Sequence, residues 1–322
     1  MPANAHPPRS DMEIEARALT VGKWANLFMA VAGVATALLS HSDAMLVDGL
    51  YSAVNFLSAI VAARIGLSIA RPANRRRPWG YDFDEALYVT FRSMILIGIL
   101  IFALFVSLSK IATYLTGGTV PTLVFGPIAV YAVTVVLICA GLAYNYHRAY
   151  VTTGRRSAIL QTESKASLID GAISLGAGGA LLSLPFLPGT VLEPLIPIGD
   201  ALIVVTLVAL IIWQPVSLFL RSLADLAGIS APPATVAAVA RRTRAAALET
   251  GFRYLRCAVL RAGRSHYVAV YLDPQRSVTA AEIDAFQARL RTALDEAIGS
   301  LRLEVIITER RGPEIGDARL LP

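Results

Sequence analysis

The sequence predicts an α-helical polytopic membrane protein with six spans, followed by a small α+β domain. Of the 322 residues, 55% are apolar and only 16% are charged, whereas soluble domains are about a quarter charged. Six apolar stretches approach the ~20 residues that a helix needs to cross a bilayer. After residue 228 the composition becomes that of a soluble domain. These observations exclude a soluble enzyme, a disordered chain and a coiled coil.

The predicted spans are separated by short polar links. They cover residues 19–40, 44–70, 85–115, 123–146, 157–187 and 195–223. Prolines mark the break between the last two, at Pro185, Pro188, Pro194 and Pro197. We therefore expect a polar N-terminal tail over 1–17 and a transmembrane domain over 18–228.

Positive charge lies on one side of this topology. Arginines follow the second and fourth spans, at Arg71, Arg75, Arg76, Arg77, Arg148, Arg155 and Arg156. The opposite links, 41–43, 116–122 and 188–194, contain no Lys or Arg. The positive-inside rule then places both termini in the cytoplasm. The net charge of +6 is explained by these links, so we expect a lipid bilayer rather than nucleic acid as the partner, and a bacterial inner membrane as the location.

Residues 229–322 predict a cytoplasmic domain with the order αββαβ. A helix begins after Pro232 and ends at Gly251, and strands follow over 253–262 and 266–272. Thr279 and Glu282 form a capping-box pattern before the second helix, and the last strand covers 303–308. Apolar residues line one face of that helix at Ile283, Phe286, Leu290, Leu294 and Ile298.

Two acidic residues lie inside apolar spans, Asp48 in the second and Asp170 in the fifth. A carboxylate in a bilayer is costly unless it faces a cavity, a partner or an ion. Each is followed by Gly and, four residues on, by Ser52 or Ser174, so each Asp and Ser share a helix face. The glycines permit close helix approach. The alternative is that each Asp ends a helix and reaches interfacial water.

The two motifs would run antiparallel, as in the inverted pairs of transport sites. Two Asp and two Ser oxygens then form one cation site. Asp48 and Asp170 meet only if the fifth helix begins near 157; a start near 166 would separate them. Asn55, two turns below Asp48, lines the same cavity or bonds to a neighbouring helix.

Other charged residues have structural interpretations. Asp200 is expected at the start of the sixth helix, and Arg92 and Lys110 are expected to extend to the membrane surface. Asp82, Asp84 and Glu85 are expected to cap the third span, with Asp84 or Glu85 as an alternative guide for incoming cations. His266 is expected to be structural.

The chain resembles the cation diffusion facilitators, a family of proton-coupled exporters of divalent metals. The resemblance covers about residues 19–310. The motifs that carry it are Leu46-Val-Asp48, Pro78-Trp-Gly80-Tyr-Asp-Phe-Asp-Glu85, Asp170-Gly171 and Asp200-Ala-Leu202. It implies a homodimer, a metal site between spans two and five, and a ferredoxin-like cytoplasmic domain that can bind regulatory metal.

This sequence departs from the family at several ligand positions. Ser52, Thr162 and Ala166 stand where the family supplies Asp or His, and Tyr81 replaces the His of the loop. The remaining site is predicted to be oxygen-only, which suits Mn²⁺, Fe²⁺ or Mg²⁺ better than Zn²⁺.

Transport of a divalent ion such as Mn²⁺, Fe²⁺, Zn²⁺ or Co²⁺ against protons is therefore the leading hypothesis. No resident cofactor is expected, and no HExxH, Ser-His-Asp or P-loop pattern suggests an enzyme or an ATP-driven pump. The alternative is a non-transporting membrane sensor or scaffold on a transporter-like fold.

Overall fold

The chain folds into two compact units. The computed structural model describes residues 9–69, 74–77, 80–155, 157–263 and 265–309. The first unit contains the described residues up to Ala63 together with Arg92–Ser217; the second contains Arg64–Phe91 and the described residues from Leu218 onward.

Some sequence predictions fall outside the described residues. They concern the start of the N-terminal tail at 1–8, Arg71, the Pro78 and Trp79 part of the loop motif, Arg156, and the chain end at 310–322. The second unit also includes 64–91 and 218–228, which lie on the transmembrane side of the predicted boundary.

Seven α-helices precede the C-terminal domain in the described chain. They are α1 (Arg9–Ser40), α2 (Asp43–Ile69), α3 (Asp82–Leu115), α4 (Phe125–Thr152), α5 (Ala158–Ser183), α6 (Gly199–Ile211) and α7 (Trp213–Leu226). Six segments are long and apolar enough to cross a membrane: Glu13–Ser40, Asp43–Ile65, Asp82–Leu115, Phe125–Thr152, Ile159–Phe186 and Glu193–Leu226. The six predicted spans are thereby confirmed.

Local signals explain where these helices begin and break. Ser157 caps α5 by accepting a hydrogen bond from the Leu160 backbone N–H at 3.2 Å. Short 3-10 turns between α5 and α6 hold Pro185, Pro194 and Pro197, and Pro188 lies in a turn between them. The sixth span breaks at Ile212 between α6 and α7, because Pro215 has no N–H to donate one turn back.

The C-terminal part of the second unit contains α8 (Pro233–Thr250), β1 (Arg253–Ala262), β2 (Ser265–Asp273), α9 (Ala280–Ile298) and β3 (Leu301–Ile307). The sheet order is β1-β2-β3; β1 and β2 are antiparallel, and β2 and β3 are parallel. The crossover through α9 makes the parallel pairing possible. The predicted αββαβ order is confirmed, while the ferredoxin-like assignment stays a prediction.

Both helices of this domain share one core with the sheet. Phe286, Leu290 and Leu294 of α9 are fully buried together with Val239 of α8 and Val270 of β2. The Thr279 hydroxyl accepts from the Glu282 N–H, and the Glu282 carboxylate accepts from the Thr279 N–H. The capping box and the core face of α9 were thus predicted correctly.

Asp82, in the first turn of α3, anchors the sheet of the second unit. Its buried carboxylate accepts hydrogen bonds from Ser265 Oγ (3.3 Å), Tyr267 OH (3.2 Å) and Arg302 Nε (3.2 Å). Burial raises the pKa of Tyr267 to about 12, so the phenol keeps the proton that it donates. Asp82 therefore joins the start of α3 to both β2 and β3.

Candidate cation site

A cavity of about 120 Å³ lies within the first unit. Residues of α1, α2, α4, α5, α6 and α7 line it. The groups that can bind an ion or donate a hydrogen bond come from Asn26, Asp48, Tyr51, Ser52, Asn55, Tyr131, Cys139, Asp170, Ser174 and Gln214. The remaining lining is mostly aliphatic, so these groups lie in a largely apolar surrounding.

Both predicted motifs line this one cavity. Asp48 and Ser52 lie one turn apart on α2, and Asp170 and Ser174 lie one turn apart on α5. Because α5 begins at Ala158, Asp170 lies midway along the helix rather than near its end. This is the early start that the sequence required for the two acids to face a common space.

A direct contact joins the two motifs. Ser174 Oγ of α5 lies 3.5 Å from Asp48 Oδ1 of α2 and donates toward it. The other Asp48 oxygen, Oδ2, accepts a hydrogen bond of 2.5 Å from the Tyr131 hydroxyl of α4. Asp48 is therefore held between α4 and α5, with one oxygen directed to each helix.

The sequence analysis missed the contribution of α4. Tyr131 and Cys139 are two turns apart on the same face of this helix, and both line the cavity. Cys139 adds a thiol sulfur to the cavity lining, while the oxygen-only ion site stays a prediction. The sequence does show that residues 131, 135 and 139 share one face of a helix. In an apolar span, however, this spacing does not indicate which face lines a cavity.

The glycine next to each acid lies at a close helix contact, as predicted. At Gly49 the partner is α1: a Cβ added to Gly33 would lie 2.6 Å from Gly49 Cα. At Gly171 the partner is α4: an added Cβ would lie 3.0 Å from Cys139 Cβ. Gly49 thus brings α1 close to Asp48, and Gly171 brings α4 close to Asp170.

Asn55 combines the two roles that the sequence left open. It lines the cavity, and its Oδ1 accepts a hydrogen bond of 3.0 Å from Arg92 Nη2 of α3. The prediction that Arg92 extends to the membrane surface was wrong, because Arg92 turns inward to Asn55 and its Nε is buried without a hydrogen-bond partner among the described residues.

Glu85 does not line the cavity in the described part of the chain. It lies in the first turn of α3 within the second unit, where an added Cβ on Gly263 would come 3.0 Å from Glu85 Oε2. This position is consistent with the predicted helix-start role for Glu85.

A second polar cluster holds the start of α2. The Asp200 carboxylate accepts from Ser42 Oγ at 2.6 Å and from the backbone N–H of Asp43 at 2.8 Å. Lys110 Nζ lies 2.7 Å from Asp43 Oδ2 and 3.5 Å from Asp200 Oδ2. Asp200 lies at the start of α6, as predicted, but it caps α2. Lys110 was expected to reach the membrane surface and instead pairs with these acids.

No group of three or more His, Cys, Asp or Glu side chains is close enough to hold a metal ion in the ranges that the structure describes. Beside the carboxylates of Asp48 and Asp170, the cavity lining offers hydroxyl groups, amide groups and the Cys139 sulfur.

Comparison with known families agrees with the predicted membrane domain. The family model described as the cation efflux transmembrane domain matches residues 19–227. Among curated proteins, none matches the chain. The matched range contains all the cavity-lining residues.

Proposed function

The chain belongs to the cation efflux family, and we propose on that premise that it exports divalent metal ions from the cytoplasm in exchange for protons. The family match and the six apolar helices make it a metal cation transporter embedded in a membrane. The export direction, the proton exchange and the ion site are parts of our proposal.

We place the ion between Asp48 of α2 and Asp170 of α5, with Ser52 and Ser174 beside them. The observation that carries this assignment is that all four side chains line one cavity. The contact of Ser174 with Asp48 supports a site that draws on both helices. Carboxylates that face each other in an apolar cavity repel when both are ionised, which favours binding of either a cation or protons.

Exchange of metal for protons follows because the metal ion and protons compete for the same two carboxylates. A bound divalent ion requires ionised carboxylates, so metal binding releases protons. When the ion leaves on the outer side, protons replace it on Asp48 and Asp170, and the neutralised site returns inward. The cycle moves metal outward and protons inward through the same two side chains.

Orientation and assembly are also proposals. The arginines after the second and fourth spans support cytoplasmic termini, in the inner membrane of a bacterium. The family resemblance supports a homodimer with a ferredoxin-like cytoplasmic domain. Cross-linking of the purified protein in lipid tests the dimer, and protease access to the C-terminal domain in inside-out vesicles tests the orientation.

Proton flux in proteoliposomes tests the transport cycle. The purified full chain is reconstituted with a pH-sensitive dye inside, and Mn²⁺, Fe²⁺, Co²⁺, Zn²⁺ and Mg²⁺ are added outside in turn. We expect at least one ion to drive proton movement, and expect Asp48→Ala and Asp170→Ala to abolish it. Asp284→Ala, which removes an exposed carboxylate on α9, serves as the matched control.

Two results would reject the proposal. Unchanged flux in Asp48→Ala would remove that residue from the site. Absence of flux with every ion, while the wild type still binds metal, would favour the alternative of a non-transporting sensor or scaffold.

A further inference from the structure

The hydroxyl of Tyr131 is committed to one oxygen of Asp48. It lies 2.5 Å from Asp48 Oδ2 and 3.3 Å from the Met29 carbonyl oxygen. A phenol has a single proton to donate, and the shorter contact, to a carboxylate, takes it. Tyr131 is only 4% exposed, so water does not compete freely for this bond.

The helix crossing next to Tyr131 fixes the position of this hydroxyl. A Cβ added to Gly33 of α1 would lie 2.7 Å from the Tyr131 hydroxyl oxygen and 2.6 Å from Gly49 Cα. The hydroxyl therefore occupies the space left by Gly33, at the point where α1 crosses α2. Asp48 precedes Gly49 directly, so the same crossing positions the donor and its acceptor.

The two oxygens of Asp48 consequently differ. Oδ2 is held by Tyr131 of α4, whereas Oδ1 faces α5 through Ser174. Of the two, Oδ1 is the oxygen that contacts the helix that carries Asp170. An ion shared by α2 and α5 would meet one oxygen of Asp48 and not the pair.

We propose that Tyr131 is a positioning residue that makes Asp48 a one-oxygen ligand and thereby selects small divalent ions over Ca²⁺. This inference rests on the proposed function, in which Asp48 binds the transported ion. Ca²⁺ takes six to eight oxygens and often binds both oxygens of a carboxylate, whereas Mg²⁺ and ions of similar size take six at shorter distances. Oδ2 accepts the short hydrogen bond from Tyr131, whereas Oδ1 has only the 3.5 Å contact with Ser174, so Asp48 offers mainly Oδ1 and suits the smaller ions.

Replacement of Tyr131 by Phe removes the hydroxyl and keeps the ring. Oδ2 of Asp48 is then released from this hydrogen bond and can bind the ion together with Oδ1. Loss of a hydrogen bond to a metal ligand commonly reduces affinity about 10- to 100-fold. We expect Tyr131→Phe to weaken Mn²⁺ binding at least about 10-fold and to weaken Ca²⁺ binding less, so that the ratio of the two dissociation constants shifts toward Ca²⁺.

The matched control is Tyr146→Phe. Tyr146 lies on the same helix and is also 4% exposed, and its hydroxyl occupies the space beside another α1 glycine, Gly22. It does not line the cavity. A structural role for either hydroxyl would change protein stability or the affinity for all ions equally, whereas a positioning role changes the ratio between ions.

The experiment measures Mn²⁺ binding to the purified full chain in lipid nanodiscs, with Ca²⁺ as competitor, for the wild type, Tyr131→Phe, Tyr146→Phe and Asp48→Ala. A ratio of dissociation constants does not depend on the fraction of folded protein. We expect the ratio to shift in Tyr131→Phe and to stay at the wild-type value in Tyr146→Phe.

An unchanged ratio in Tyr131→Phe, with Asp48→Ala still losing Mn²⁺ binding, would overturn this inference and leave the proposed function intact. A shift of the same size in Tyr146→Phe would also overturn it. If Asp48→Ala binds Mn²⁺ like the wild type, the proposed site itself fails and the inference fails with it.

Discussion

Gly33 and Gly49 meet where α1 crosses α2, so closely that a Cβ on Gly33 would lie 2.6 Å from Gly49 Cα. No larger side chain fits at this crossing without a shift of the backbone. The contact places α1 directly beside the turn of α2 that carries Asp48. The packing of two glycines therefore sets the geometry of the proposed ion site.

Substitution of Gly33 by Ala tests this packing. The added methyl group would push α1 away from α2 and displace the Tyr131 hydroxyl, and overpacking of this kind costs about 1–3 kcal/mol. We expect a lower melting temperature in detergent and weaker metal transport. Gly98→Ala is the control, since an added Cβ at Gly98 meets nothing within 4 Å; equal stability of the two variants would contradict the close crossing.

Asp200→Asn tests the cap on α2. The change removes the negative charge that faces Lys110 and places an amide N–H₂ opposite a backbone N–H of α2. Loss of such a buried acceptor costs about 1–3 kcal/mol, so we expect a clear drop in thermal stability. Asp43→Asn should have a smaller effect because the Asp43 side chain is 23% exposed and Asp200 only 1%. The opposite ranking would refute the assigned roles.

Asp82→Ala tests the anchor of the three-stranded sheet in the second unit. The substitution leaves Ser265, Tyr267 and Arg302 without this shared acceptor. We expect destabilisation of about 1–3 kcal/mol, seen as faster amide hydrogen exchange in β2. Asp84→Ala is the control, because Asp84 pairs with Arg77 at the surface, where ion pairs contribute about 0–1 kcal/mol. Unchanged amide hydrogen exchange of β2 in Asp82→Ala would show that the Asp82 hydrogen bonds do not stabilise the sheet.

The surroundings of His266 predict that the stability of the second unit depends on pH. Burial lowers the pKa of His266, Arg261 across the strand pair lowers it further, and Asp225 acts in the opposite direction. The unfolded chain then binds a proton more readily than the folded one, so stability is retained above about pH 6.5 and falls as the pH drops below it.

The measurement is amide hydrogen exchange of β1 and β2 at about pH 7.5 and about pH 5.5, corrected for the intrinsic exchange rate. His266→Gln should reduce the extra exchange at the lower pH. His147→Gln, at an exposed position on α4, should leave it unchanged. Identical pH profiles for the wild type and His266→Gln would contradict the assignment.

Hydropathy predicted the spans because each apolar run is continuous in sequence, and the spacing of Asp48, Ser52, Asp170 and Ser174 predicted which residues share a helix face. Contacts between helices were not predictable in this way. Tyr131 is an aromatic residue in an apolar span, which the pattern cannot distinguish from a lipid-facing or core residue. Its contact with Asp48 depends on the rotation of α4, which the sequence does not encode locally.

The errors at Arg92 and Lys110 have a related cause. Both lie toward the ends of α3, where a long basic side chain usually extends to the membrane surface. Their partners, Asn55 for one and Asp43 with Asp200 for the other, come from helices that are distant in sequence. An inward partner overrides the usual preference, and only the packed structure provides it.

The central claim is that Asp48 and Asp170 bind one ion together. A double-mutant cycle of Mn²⁺ affinity tests it most directly, with Asp48→Asn, Asp170→Asn and the double variant compared with the wild type. If the ion is shared, either single change removes most of the binding and the double variant loses little more. Additive losses in the double variant, or wild-type affinity in Asp170→Asn, would show that the two carboxylates do not share an ion.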